Sequence, residues 1–117
     1  MSNQIIEIKS SQHFLELIDS ENSIDKNKTY VIDFYAKWCG PCKKYGDYIE
    51  SNILQQGKYK SIIFAKMDID NNECRQVISK FQVTSIPRTL ILQNKIIMND
   101  ILGNNPDLLV KKLDELL

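Results

Sequence analysis

Cysteine occurs three times and histidine once among the 117 residues, neither charge is in excess, and no apolar run is longer than a few residues. Each scarcity excludes something. Fifteen basic residues against 15 acidic ones leave no formal net charge, which argues against a nucleic-acid partner because phosphate binding needs a clear basic excess. The apolar runs fall far short of the roughly 18 to 20 residues that cross a bilayer, so no membrane partner is expected. The opening Met-Ser-Asn-Gln-Ile-Ile-Glu-Ile-Lys lacks the basic start and long apolar stretch of a secretory signal. Three prolines, four glycines and apolar residues spread from Ile5 to Leu117 exclude a disordered or collagen-like chain. What is present, 43% hydrophobic and 26% charged residues, describes one compact soluble domain over residues 1–117, expected to be a monomer.

Three cysteines cannot build a disulfide framework, but Cys39 and Cys42 lie three apart, a spacing that serves zinc binding or redox chemistry. Structural zinc takes about four ligands, usually a second such pair or two histidines. The remaining candidates, Cys74 and His13, form no second ligand pair, so no metal and no cofactor is expected. A hydrolase built on cysteine and histidine is disfavoured too, because it needs the base within hydrogen-bond reach of the sulfur, and His13 falls in the first helix, away from Cys39. Redox chemistry is the better reading.

The chain alternates strand and helix patterns without a repeat or linker. Ile5 to Lys9 reads as a short strand, and Ser10 or Ser11 as the cap of a helix burying Phe14, Leu17 and Ile18. Asn22 to Lys28 is a polar connector. Tyr30 to Ala36 is nearly continuous in apolar and aromatic residues, as in a strand buried on both faces. A helix running from Cys42 through Tyr45, Tyr48, Ile49 and Ile53 is expected to end at Gly57, ahead of a strand over Ile62 to Met67. Asn71 or Asn72 caps a helix with Cys74, Val77, Ile78 and Phe81 on one face, which makes Cys74 a buried packing residue, its place near the helix start leaving a regulatory or dimer-forming thiol as the alternative. Thr89 to Leu92 and Ile96 to Met98 form a hairpin turning at Gln93-Asn94-Lys95, and Asn105-Pro106-Asp107 opens a closing helix with Leu109, Leu113 and Leu116 inward. The order βαβαβαββα implies an α/β fold of three layers, α/β/α, around a central mixed sheet.

Reactive sites of such sheets lie beyond the carboxyl ends of the strands, at helix amino ends, and Trp38-Cys39-Gly40-Pro41-Cys42-Lys43 occupies that place. There the helix dipole and the cations of Lys37, Lys43 and Lys44 favour a thiolate on Cys39, while Cys42, one turn deeper, stays a thiol until needed. Cys39 is thus the candidate attacking sulfur and Cys42 the resolving one. Asp33 is out of place in an apolar strand, since a buried carboxylate is costly unless paired or neutral. Alternation puts it on the face that the helix from Cys42 crosses, where a carboxyl of raised pKa can take the Cys42 proton. Lys66, on the following strand, is its expected charge partner.

The segment Val31 to Lys43, with Trp38-Cys39-Gly40-Pro41-Cys42-Lys43 at its centre, resembles the active-site signature of the thioredoxin family. Lys66-Met67-Asp68-Ile69-Asp70 is similar to that family's next strand, Ile86-Pro87 to its cis-proline and Leu102-Gly103 to its last site loop, so the likeness covers nearly the whole chain. The resemblance implies a thioredoxin fold with one antiparallel strand beside parallel ones. It also implies protein-disulfide reduction, disulfide-containing protein substrates and re-reduction by a flavin-containing thioredoxin reductase that uses NADPH. Gly40-Pro41 between the cysteines is the pair of the reducing members, which favours a reductase in the cytoplasm or another reducing compartment. In the family the loop holding Ile86 and Pro87 faces the cysteines, with the main chain of Ile86 on the substrate backbone.

The chain departs from the family pattern at Asp47, where a helix-kinking proline is usual, in a longer Asn71 to Ser79 segment, and at Arg88, where threonine is usual. A straighter second helix is expected from Asp47, with Gly46 left to loosen it. Trp38, beside Cys39 in an exposed turn, is read as substrate-facing. Arg88 is read either as a solvated edge residue or as a permanent positive charge at the rim that selects acidic substrates. The competing function is a binding module that holds a partner through Trp38, Gly40, Pro41, Ile69, Ile86 and Gly103 with little turnover.

Overall fold

Thr29–Tyr35 forms the middle strand, β2, of the computed structural model, which describes residues 4–19 and 28–117. Its first six residues are buried, as expected of a strand covered on both faces. Around it stand β1 (Ile6–Glu7), β3 (Ile63–Asp68), β4 (Arg88–Gln93) and β5 (Ile96–Leu102), in the spatial order β1-β3-β2-β4-β5. The pairs β1 with β3 and β3 with β2 are parallel, whereas β4 runs antiparallel to both β2 and β5. The hairpin after Pro87 therefore continues the sheet as an antiparallel edge. The polar connector read over Asn22 to Lys28 lies, apart from Lys28, outside the described residues.

Among the described residues four α-helices cover the sheet: α1 (Ser11–Ile18), α2 (Gly40–Tyr48), α3 (Arg75–Lys80) and α4 (Pro106–Leu116). Alternation along β2 divides the core in two. Tyr30, Ile32 and Phe34 meet Phe14 of α1 and Val77 of α3, while Val31 meets Tyr45 of α2 and Leu109 and Leu113 of α4. Ser10 caps α1 by accepting the His13 N–H at 2.9 Å, and Asn105 caps α4 by accepting the Leu108 N–H at 3.2 Å. Cys74 is fully buried in the α1/α3 layer, and burial raises its thiol pKa.

Four expectations need correction. The first strand spans Ile6–Glu7 only, and β5 reaches Leu102 rather than stopping at Met98. The helix that opens the site begins at Gly40, and Gly57 does not end it: α2 passes into a π turn over Ile49–Ile53, closed by Leu54 N–H to Ile49 C=O at 2.9 Å. Gly57 instead starts a short 3-10 turn, Gly57–Tyr59. Asp47 does not give a regular helix to its end either, because the widened turn follows two residues later and lets Ile49, Ile53 and Leu54 all enter the core.

Candidate active site

The turn from β2 to α2 positions the cysteine pair. Cys39 is the N-cap of α2 in an extended conformation, Gly40 and Pro41 supply the first helical residues, and Cys42 completes the turn. Proline suits this place because the first helical N–H groups have no intrahelical acceptor in any case. Cys39 and Cys42 are joined as a disulfide, and the Cys42 N–H points at the Cys39 sulfur, 3.2 Å away. Both are nearly buried, in a cluster with Ala36 on which Tyr35, Ile69 and Ile86 pack. Trp38 stands 70% exposed next to them, its indole Nε1–H donating to Asp70 at 2.8 Å.

Beneath the pair, β2 presents Asp33. The carboxyl is 4% exposed and its Oδ1 has no hydrogen-bond partner among the described residues. Burial pushes its pKa up to about 7, a rise that Lys66 opposes and Glu7 reinforces. A cavity of about 280 Å³ is lined by Asp33, Cys42, Lys43, Asp47, Glu50 and Lys66, so the carboxyl and the deeper sulfur share one space.

Lys66 lies opposite Asp33 in the β2–β3 register. Its ammonium, however, is not in a direct ion pair with Asp33. It sits 3.9 Å from Glu7 and 5.2 Å from the centre of the Tyr35 ring, and the Tyr35 hydroxyl donates to Glu7 at 2.7 Å. The Lys66 charge therefore acts on Asp33 through space, as its charge partner without a direct ion pair. Glu7, absent from the candidate residues, lies beside Lys66 in the β1–β3 register and is the carboxylate its ammonium meets.

The opposite wall is the segment before β4. The Ile86–Pro87 peptide bond is cis, and the Pro87 carbonyl accepts the Gly103 N–H at 2.7 Å. Gly103 has φ of +84°, a conformation that glycine adopts without steric cost. Ile86 touches the cysteine cluster; Trp38, Gly40 and Pro41 belong to the cysteine turn itself, and Pro87, next to Ile86, is tied to Gly103. Arg88 does not join them as a free charge. Its Nε and Nη2 bond the two oxygens of Asp100 at 3.0 and 2.8 Å, and its Nη1 donates to the Phe81 carbonyl at 2.6 Å. This corrects the expectation of an added positive field at the rim, because Asp100 neutralises the charge and the side chain is only 14% exposed.

Among the described residues no group of three or more potential metal-ligating side chains gathers in one place, and no helix is long and apolar enough to cross a membrane. Chemically the arrangement offers a dithiol that opens and closes, an N-terminal helix turn that favours a thiolate, and a carboxyl titrating near neutrality beside the second sulfur.

The family model described as Thioredoxin matches residues 7–115. Thioredoxin H7 of Arabidopsis thaliana is 31% identical over 112 residues, covering 95% of this chain and 81% of that protein. The mitochondrial Thioredoxin-3 of Saccharomyces cerevisiae is 33% identical over 100 residues, covering 86% and 75%. The oxidised crystal structure of that yeast protein superposes with a TM-score of 0.77 at 30% identity, over 95% of this chain and 94% of that one. Thioredoxin from Trypanosoma brucei brucei gives a TM-score of 0.82 at 26% identity, over 98% and 92%. With a redox-active cysteine pair at the amino end of α2, a five-stranded mixed sheet and a family match along almost its full length, this chain belongs to the thioredoxin family of thiol–disulfide oxidoreductases.

Proposed function

We propose that this chain is a single-domain protein-disulfide reductase in which Cys39 attacks and Cys42 resolves. The Cys39 thiolate, held at the N-cap of α2, attacks one sulfur of a substrate disulfide, forming a mixed disulfide and releasing the first substrate thiolate. Cys42 then gives its proton to the Asp33 carboxylate, across the cavity the two share, and the new thiolate attacks the Cys39 sulfur. The second substrate thiolate leaves and the Cys39–Cys42 disulfide remains: one S–S bond is gained for one lost, and the two electrons of the dithiol have passed to the substrate. An NADPH-dependent thioredoxin reductase returns it to the dithiol in a reducing compartment, the cytoplasm in the first instance, so that the protein carries electrons between the two.

The observation that carries this reading is the placement of a buried carboxyl, with Oδ1 unpartnered and a pKa raised to about 7, in the same cavity as Cys42. A structural carboxyl would more commonly satisfy both oxygens. Trp38, Gly40, Pro41, Ile86, Pro87 and Gly103 supply the surface on which substrate lies. The test is consumption of NADPH in the presence of a thioredoxin reductase and a disulfide protein such as insulin. Consumption that depends on this chain and disappears in Cys39→Ser supports the reductase. Tight binding of the disulfide protein without turnover, with either the reductase or dithiothreitol as donor, favours the binding module instead.

A further inference from the structure

Residues 82–87, between α3 and β4, carry Ile86 onto the cysteine cluster, and one side chain ties the two ends of this loop together. Arg88, the first residue after the loop, reaches back with Nη1 to the carbonyl of Phe81, the last residue before it, at 2.6 Å. That carbonyl belongs to the C-cap of α3, where helix carbonyls lack intrahelical donors. The remaining face of the guanidinium is taken by Asp100 of β5 at 3.0 and 2.8 Å, a bidentate contact that fixes the plane and so aims Nη1. Lysine has no such fork.

The backbone holds the loop at two further points. Gln82 takes φ of +52°, which turns the chain out of α3 and lets the Val83 N–H reach the Ile78 carbonyl at 3.0 Å. At the other end the Gly103 N–H holds the Pro87 carbonyl. Between these points the exposed Thr84 and Ser85 lead to Ile86, so the pose of Ile86 depends on how firmly the two ends are fastened. Arg88 is the only side chain among the described residues whose hydrogen bond spans the loop from one end to the other.

We propose that Arg88 is a positioning residue for disulfide reduction: the clasp from Asp100 through its guanidinium to Phe81 holds residues 82–87 in the pose that presents Ile86 to a polypeptide lying over Cys39. The proposal rests on the reductase reading above. A polypeptide that lies along Ile86 needs the loop in place before it binds, whereas a small aromatic disulfide engages little beyond the sulfur. Loosening the clasp therefore falls on the polypeptide, which must order the loop as it docks.

Arg88→Met and Asp100→Asn, each compared with the unaltered protein, test this with insulin and with a small aromatic disulfide as substrates. The ratio of kcat/KM for insulin to that for the small disulfide is expected to fall roughly tenfold in Arg88→Met, through KM rather than kcat, and by less in Asp100→Asn. Amide hydrogen exchange over residues 83–86 is expected to quicken in both. A folded Arg88→Met with an unchanged ratio, or with equal loss on both substrates, overturns the proposal. Should Arg88→Met not fold, the same ratio in Asp100→Asn decides, since that change lies at an exposed carboxylate. If the unaltered protein reduces neither disulfide, the reductase reading fails by itself, and unchanged exchange over residues 83–86 in the variants would still remove the clasp.

Discussion

At the scale of single residues, the raised pKa of Asp33 links the stability of the fold to pH. Its folded pKa of about 7 lies above the ordinary 3.8, so the folded state holds the proton more tightly than the unfolded chain does. Its contribution to stability is thus fully present below pH 3.8 and is lost as pH rises through about 7. At one pH unit per 1.36 kcal/mol the whole difference is about 4 kcal/mol. Asp33→Asn is expected to remove this dependence: denaturant unfolding should show the variant gaining on the unaltered protein between pH 4 and pH 8 and exceeding it at the upper end. The same variant should resolve mixed disulfides more slowly, with a flatter rise of rate through neutrality. An unaltered pH slope of stability in Asp33→Asn would place that proton on another group. Asp33 was legible because a carboxylate interrupting an apolar strand is rare. The true neighbour of Lys66 was not, because Glu7 reaches it only once β1 pairs with β3.

Between elements, the position of α2 over the sheet decides where Cys42 sits. Tyr45, fully buried one turn beyond Cys42, shares a 2.6 Å hydrogen bond with the buried hydroxyl of Thr89 on β4. Tyr45→Phe leaves the Thr89 hydroxyl without this partner, and calorimetric or denaturant unfolding should show a loss of roughly 1 to 3 kcal/mol with little loss of ring packing. The β4–β5 turn gives a change of opposite sign. Asn94 and Lys95 both have positive φ, 52° and 64°, the pattern of a two-residue hairpin turn that favours Asn-Gly. Lys95→Gly should raise stability by about 1 kcal/mol, because it relieves a left-handed lysine while giving up only an exposed ion pair to Asp19; a lower unfolding midpoint would show that the pair matters more. The start of α2 could be read from Cys39-Gly40-Pro41, since proline and a capping residue act locally. Its end could not, because a π turn is set by which of Ile49, Ile53 and Leu54 the core can take, and spacing in the chain does not carry that. Arg88 lies between these cases. Its partner Asp100 stands opposite Leu90, one diagonal step away in the hairpin, so the contact was readable from the register but not from Arg88 alone.

For the whole molecule, strand and helix order was legible from apolar patterns, the near-continuous run of Tyr30 to Ala36 and the helical spacing of Cys74, Val77, Ile78 and Phe81, whereas packing set ends such as that of α2. Three separate stretches of chain, linked in the sequence only by the family resemblance, meet at one sheet end: the cysteine turn, the cis-proline segment and Gly103. With no net charge and Trp38 standing exposed beside the sulfurs, the proposed substrate surface offers shape and apolar contact rather than a long-range field. The account stands on the division of labour between the two sulfurs, and trapping tests it most directly. Cys42→Ser, reduced and then mixed with a disulfide protein, is predicted to accumulate a mixed disulfide that peptide mass spectrometry assigns to Cys39, while Cys39→Ser accumulates none. A stable adduct on Cys42 in Cys39→Ser, with none on Cys39 in Cys42→Ser, would contradict it.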